Sequence, residues 1–458
     1  MCFIRVISTK LQEEIVYSMN KIISLLFIFL LLTSPLFCQQ DNNADLFLKK
    51  GTLKDCVEYA LIHQPVIQQS LLDEEITDHE INSKLADWLP QLNLNLNFIH
   101  NYKLPVSIFQ GNPVTVGLIN TSEAEFSLTQ TIFNRDVFLA ANTSKDVSRL
   151  MKQKTAFSKI DVVTIVSKAF YSVLLTTEQI ALLDEDIIRL KQSVKDTYNQ
   201  YKGGIVDKTD YQRATIALNN AEAELKQNQE FLKVRNAFLK EQMGYPADAE
   251  LNIEFDKTQM QNEIFIDTTQ KASYENRIEY QLLQSRIRLQ QANLSYNDLS
   301  FIPILSAFAN YSYFYQNDNL SKLYNTNYPN SNIGLQLSFP IFQGGKRIQE
   351  IEQASLELDR YNYDIILLKD SINTGYISAM GEYKSSLNNY NILKENLELA
   401  KDVYNTIQLQ YKSGIKTFLE VITAETDLRT TQANYNNALF QVLSSKLDLQ
   451  RSLGTIQY

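Results

Sequence analysis

Thiols, imidazoles and phosphate-cradling loops are what a 458-residue chain would use for catalysis or metal binding, and this chain has little of them. Its three cysteines, Cys2, Cys38 and Cys56, are too few and too scattered for a disulfide framework or a zinc site. Its three histidines, His63, His79 and His100, lie too far apart in sequence for one local element to join them. No GxxxxGK[ST] run is present to hold a nucleotide. No catalytic residue, metal ligand or cofactor is assigned, and the chain is not expected to be an enzyme. Forty-three basic against 52 acidic residues give a net charge of −9 without any Lys/Arg-rich run, which argues against a nucleic-acid partner.

Internal repetition is what the chain offers instead. Offset by about 210 residues, YKGGIVDKTDYQRA (201–214) falls over YKSGIKTFLEVITA (411–424), and the register runs on to Gly244 over Gly454. WLPQLNLNLNF (88–98) matches FIPILSAFANY (301–311), and TIFN (131–134) matches PIFQ (340–343). Three landmarks in one order define repeat one over 50–260 and repeat two over 265–458.

Each repeat must then position a β-hairpin, at 88–133 and at 301–342. Leu92, Leu94, Leu96 and Phe98 alternate with Asn93, Asn95 and Asn97, the period-2 pattern of a strand with one apolar and one wet face. The other wet positions are Glu123, Glu125, Ser127 and Thr129 in the first hairpin, and Ser306, Asn310, Ser312, Gln336 and Ser338 in the second, with Phe308 breaking the pattern. Polar loops are expected at 105–121 and 317–331. Trp88, Phe133, Phe301 and Phe342 cluster at one end of the hairpins and Tyr102, Tyr313 and Tyr315 toward the other, as in the two aromatic girdles of a membrane barrel. A soluble sheet packed on helices accounts for the alternation but not for the girdles. Four strands cannot close a membrane barrel, so a barrel requires oligomerisation, and three copies give about 12 strands.

The rest of the chain is expected to be helical hairpins at 136–243 and 346–454. Glycine (13) and proline (9) are scarce, and 136–200 contains neither, so a continuous helix there reaches about 100 Å. Val163, Val166, Phe170, Val173, Ile180, Leu183, Ile187 and Leu190 step at coiled-coil spacing, as do Leu393, Leu397, Ala400, Tyr404, Ile407 and Tyr411. An extended periplasmic coiled-coil scaffold or adaptor is the competing reading; it explains the helices and leaves the hairpins unexplained.

The chain opens with an address. From Met19, an alternative start, a lysine precedes an apolar stretch over 22–32, the layout of a secretory signal peptide over 1–38. Cys38 is either the residue before the cut or an acyl-anchor site, although Phe37 stands where lipidation favours a small residue. No later run approaches the roughly 18 apolar residues of a membrane helix, so any crossing falls to β-strands.

On the duplicated order of ALIHQPVIQQ (60–69), the hairpins after WLPQL and FIPIL, the PIFQGGKR turn (340–347) and the two YKxGI turns, the chain resembles the TolC family of outer-membrane efflux and secretion channels. The fold class this implies is mostly α with a transmembrane β part: a homotrimer with a 12-stranded barrel in the outer membrane of a Gram-negative bacterium, joined to a 12-helix tunnel in the periplasm. The implied function is a passive exit duct for tripartite efflux or type I secretion, driven by an inner-membrane pump. The resemblance makes Gly203, Gly204, Ile205, Val206, Ser413, Gly414 and Ile415 the tips that meet a periplasmic adaptor. It places the closing links at Thr209 and Asp210 facing Tyr411 and Lys416, and an acidic ring at Glu420, with Thr423 where a second acidic ring is expected. It further implies an irregular belt at 245–275, and a strand-to-helix swivel less sharp in repeat one, where Arg135-Asp136 stands for Gly344-Gly345.

Overall fold

The computed structural model describes Leu48 and residues 51–255 and 257–458, so the signal segment and Cys38 lie outside the described residues. Helix α1 (Leu53–His63) starts at Thr52, whose hydroxyl and backbone share a capping box with Asp55, and Pro65 then opens α2 (Pro65–Ala86) at a position where its missing N–H costs nothing. Strand β1 (Gln91–His100), a small ribbon β2 (Val106–Phe109) and β3 (Asn112–Thr115), and β4 (Asn120–Phe133) follow. Helices α3 (Arg135–Lys202) and α4 (Lys208–Met243) form the first long hairpin. After the short α5 (Lys257–Asn262), the same order recurs as α6 (Ile278–Asp298), β5 (Ile304–Asn317), β6 (Asn330–Ser338), α7 (Lys346–Lys412) and α8 (Phe418–Leu453).

The four long strands make one antiparallel sheet in the order β1-β4-β5-β6, so the hairpins of the two repeats join through β4 and β5. The expected polar loop at 105–121 is instead mostly the β2–β3 ribbon, closed by Gln110 and Gly111 at φ 48° and 83°, the paired positive angles of a two-residue hairpin turn. Its strands are exposed on both faces, so they carry no alternation to read.

At 68 and 67 residues, α3 and α7 each span about 100 Å, which carries the turns at 203–207 and 413–417 far from the sheet. The main core joins α1, α3, α7 and α8: Cys56, Tyr59 and Ala60 meet Val166, Phe170 and Val173, together with Tyr383, Val442, Leu443 and Leu449. One stretch of α3 is, contrary to expectation, long and apolar enough to cross a membrane, but it is mostly buried inside the protein, as a core helix is. On α7 the seam extends above the expected Leu393, with Tyr376, Tyr383, Tyr390, Leu397, Tyr404 and Tyr411 spaced seven apart.

Helix ends meet at two equivalent junctions. The side chain of Gln64, N-cap of α2, donates to the Glu241 and Gln242 carbonyls at the end of α4 (3.3 and 3.0 Å). Arg277, N-cap of α6, donates to the Ser452 carbonyl at the end of α8 (2.9 Å). Gly244 and Gly454 turn the chain there at φ 68° and 71°, and a Cβ would stand 2.7 Å from the His63 carbonyl oxygen or 2.6 Å from that of Asn276. Each junction sets a carbonyl-rich helix end against an amide-rich one, a favourable dipole arrangement.

The strand-to-helix passages differ between repeats. β4 enters α3 through Asn134 alone, whose side chain caps the Asp136 amide at 2.9 Å. β6 enters α7 through residues 339–345, where Gly344 and Gly345 both take positive φ.

Candidate functional site

Both distal turns close in the same way. At the first, the Gly204 amide donates to the Tyr201 carbonyl (3.0 Å) and the Ile205 amide to Gln200 (2.9 Å); at the second, Gly414 donates to Tyr411 and Ile415 to Gln410, both at 2.9 Å. This paired closure needs a left-handed residue, and Gly204 and Gly414 supply it at φ 69° and 76°. Nothing lies within 4 Å of a Cβ built at either, so conformation and not crowding demands glycine. Ile205 and Ile415 stand 75% and 72% exposed at the tips, beside Gly203, Val206 and Ser413.

Between the turns, Tyr411 donates its hydroxyl to Gln200 Oε1 at 2.9 Å, joining the end of α7 to the end of α3. Burial raises the Tyr411 pKa, and the negative charges of Asp210 and Asp196 add to that rise. Lys416 takes a different partner from the expected Asp210: its ammonium bonds Glu420 Oε1 at 2.6 Å, one helical turn along the same chain. Thr417 holds the other carboxylate oxygen through its amide (2.9 Å) and hydroxyl (3.0 Å). Lys416 and this capping box hold the Glu420 carboxyl down at about 2. Thr209 is exposed, and Thr423 spends its hydroxyl on the Leu419 carbonyl. Gln200 was missed in the sequence, although Gln410 repeats it before Tyr411 as it stands before Tyr201.

At the opposite end, strand register gathers the wet positions onto one face of the sheet. Asn95, Glu125, Ser312 and Asn330 form one row across the strands, and Asn93, Ser127, Asn310 and Asn332 the next. Ser127 donates to Asn310 Oδ1 (2.7 Å) and Asn310 to Asn332 Oδ1 (3.2 Å). Asn97 pairs with Glu123, Thr129 with Phe308, and Ser306 lies between Thr131 and Gln336, while Ser338 closes the face beside Ile304. Asn330, Asn332 and Thr131 join this face without having been expected there. Leu92, Leu94, Leu96, Phe126, Leu128, Ile333, Leu335 and Leu337 occupy the other face and are exposed. Trp88, Phe301 and Phe342 are exposed at one end of the sheet and Tyr102 and Tyr313 toward the other; Phe133 and Tyr315 are half-buried, Tyr315 against Tyr324.

The histidines share no site. His63 stacks on Tyr59 (centroids 4.0 Å apart), His100 faces Asn120 Oδ1 at 2.7 Å, and His79 is exposed. Among the described residues no group of three potential metal ligands occurs.

A family model described as outer membrane efflux protein matches residues 56–244 and 273–455, once over each repeat. The chain belongs to this family. Outer membrane protein TolC of Escherichia coli K12 is 22% identical over 425 residues, covering 88% of this chain and 82% of that one. The alkaline protease secretion protein AprF of Pseudomonas aeruginosa is 19% identical, covering 72% and 69%. The crystal structure of the outer membrane protein VceC from Vibrio cholerae superimposes with a TM-score of 0.70 at 15% identity, covering 88% of this chain and 96% of that one. The fold is therefore the duplicated helix and β-hairpin fold of outer-membrane channels, and the protein is an outer-membrane efflux or secretion channel. The scaffold reading falls, and the relatives are channel proteins and not enzymes.

Proposed function

We propose that three copies assemble into the exit duct of a tripartite efflux or type I secretion system, closed at rest at its periplasmic end. The observation that carries this is the sheet's two open edges, β1 and β6. They run antiparallel to each other, so β6 of one copy can pair with β1 of the next. Three four-stranded sheets close into about 12 strands, with leucines outward and the Asn/Glu/Ser rows inward. Closure also removes the unpaired edges that an isolated sheet would leave open to aggregation.

The helices then extend the duct. Four staves per copy, two of them continuous and two spliced at Gly244 and Gly454, give a tunnel of about 12 helices whose mouth is the pair of exposed turns. Gly203, Gly204, Ile205 and Val206, with Ser413, Gly414 and Ile415, offer an adaptor small residues and an exposed isoleucine on each turn, and an inner-membrane pump acts through that adaptor. Tyr411–Gln200 holds the mouth inside one copy. Thr209 and Asp210 remain exposed or half-exposed for links to a neighbouring copy.

Native mass spectrometry in detergent, combined with planar-bilayer recording, tests this. A trimer with a low resting conductance is expected. A monomer, or a species that washes off the membrane in high salt, overturns it.

A further inference from the structure

Above the mouth lies a charge cluster, two buried carboxylates sharing a partly exposed arginine, that no tip contact explains. Asp186 and Arg189 of α3 meet Glu425 of α8, and Ala217 of α4, Leu190 of α3, and Ile422, Thr426 and Arg429 of α8 line the same small cavity. Asp186 is only 3% exposed, and the Glu425 side chain 12%. Arg189 is shared: Nη2 pairs with Asp186 Oδ1, and Nε stands 3.9 Å from Glu425 Oε1, beyond hydrogen-bond length. Asp186 Oδ2, Arg189 Nε and Glu425 Oε1 are all buried without a hydrogen-bond partner. A buried network left this incomplete is poor cement, since an apolar core of the same volume would hold the helices better. It suits a contact that is made and broken. Burial raises the Glu425 pKa, opposed by Arg189 and Arg429, and Tyr404 of α7 feels both Glu425 and Arg189.

Higher up, the same two hairpins are bonded at full strength. Lys168 of α3 grips both carboxylate oxygens of Asp448 of α8 (2.6 and 2.8 Å), and Arg451 pairs with Asp161. Tyr390 meets Tyr435 (3.4 Å), which takes a bond from Gln261 (2.8 Å), and Tyr383 is bonded to the Ile264 carbonyl (3.0 Å) and the Ile266 amide (3.2 Å). Residues 261–266 thus strap α7 and α8, with the Tyr390–Tyr435 contact about 30 Å from the turns. Below that strap, Arg189–Glu425 and then Tyr411–Gln200 bridge the two hairpins.

We propose that Arg189 and Glu425, with Asp186 positioning the guanidinium, form a second closing contact within each copy, and that the α7/α8 hairpin swings about the Tyr390–Tyr435 strap when this contact parts. The inference rests on the gated-mouth reading above. Arg189 and Glu425 are positioning residues of the gate, distinct from the tip links.

Single-channel conductance of the purified trimer tests it. Arg189→Gln, Glu425→Gln and the double variant are compared with Tyr411→Phe and with Lys191→Gln, whose exposed pair with Glu222 stays within the first hairpin at the same height. The two single variants and the double variant should raise resting conductance severalfold and to the same extent, with trimer heat tolerance unchanged for Glu425→Gln, which keeps the volume. Lys191→Gln should match the wild type. If Tyr411→Phe opens the channel and Glu425→Gln does not, the second contact is wrong and the mouth stands. If neither alters conductance, the gated mouth fails and the second contact with it. Additive effects of Arg189→Gln and Glu425→Gln would also overturn the pairing.

Discussion

The ring of Phe308 lies over Gly334 of the neighbouring strand, so close that a Cβ at Gly334 would sit 2.7 Å from the ring's Cζ. This explains the one large aromatic among the central wet positions of β5: it covers a stretch of backbone that has no side chain of its own. Aromatic cover of a cross-strand glycine stabilises a sheet where glycine alone would weaken it. Gly334→Ala is expected to cost about 1–3 kcal/mol by overpacking. Adding Phe308→Ala to it should return part of that loss, read as the thermal unfolding midpoint in detergent.

Glycines that look alike in sequence should respond in opposite directions. Gly244→Ala or Gly454→Ala forces a side chain into left-handed backbone, costing about 1–2 kcal/mol before any clash with His63 or Asn276. Gly375 and Gly381 sit inside α7 with open space where a Cβ would go, so alanine there should stabilise by about 0.5–1 kcal/mol. Thermal unfolding of the four variants separates the two classes.

Glu420 predicts a pH dependence. Its folded carboxyl is held at about 2, below its ordinary value of 4.5, by Lys416 and Thr417. A depressed carboxyl stabilises the folded state fully above the ordinary value, and that contribution drains away as pH falls from 4.5 toward 2. Glu420→Gln should therefore lower the thermal midpoint at pH 7 and lose its difference from the wild type as the pH approaches 2. A gap that persists unchanged at low pH would show that the ion pair and capping box are not its source.

Charge on the wet face of the sheet comes from Glu123 and Glu125, with no lysine or arginine in the four strands to offset it. An open channel in an asymmetric salt gradient should favour cations. Glu123→Gln with Glu125→Gln should move the reversal potential toward zero, and an unchanged potential would place the selective charge elsewhere, the periplasmic mouth being the first place to look.

Much of this architecture was written in periodicity. The alternation of Leu92 to Phe98 gave the faces of β1, and the glycine-free run over 136–200 gave α3, because both signals are local. What escaped needed a partner. Phe308 made sense only once register set it across from Gly334. Lys416 was assigned across the mouth, but a carboxylate four residues away on its own helix, already drawn back by Thr417, was nearer. The β2–β3 ribbon carried no pattern because neither of its faces is buried, and the Asp186–Arg189–Glu425 cluster joins helices more than 200 residues apart.

The two helix junctions carry a mechanical consequence. A continuous stave such as α3 transmits torque along its whole length, so turning its base must turn its tip. At Gly244 and Gly454 the stave is a splice of separate chain segments, held by a few carbonyl bonds and aligned dipoles. Spliced staves can therefore carry one pitch near the sheet and another near the mouth. In a tunnel closed by three copies, every second stave would be a slip joint, so that uncoiling the distal end would leave the twist of the membrane end in place.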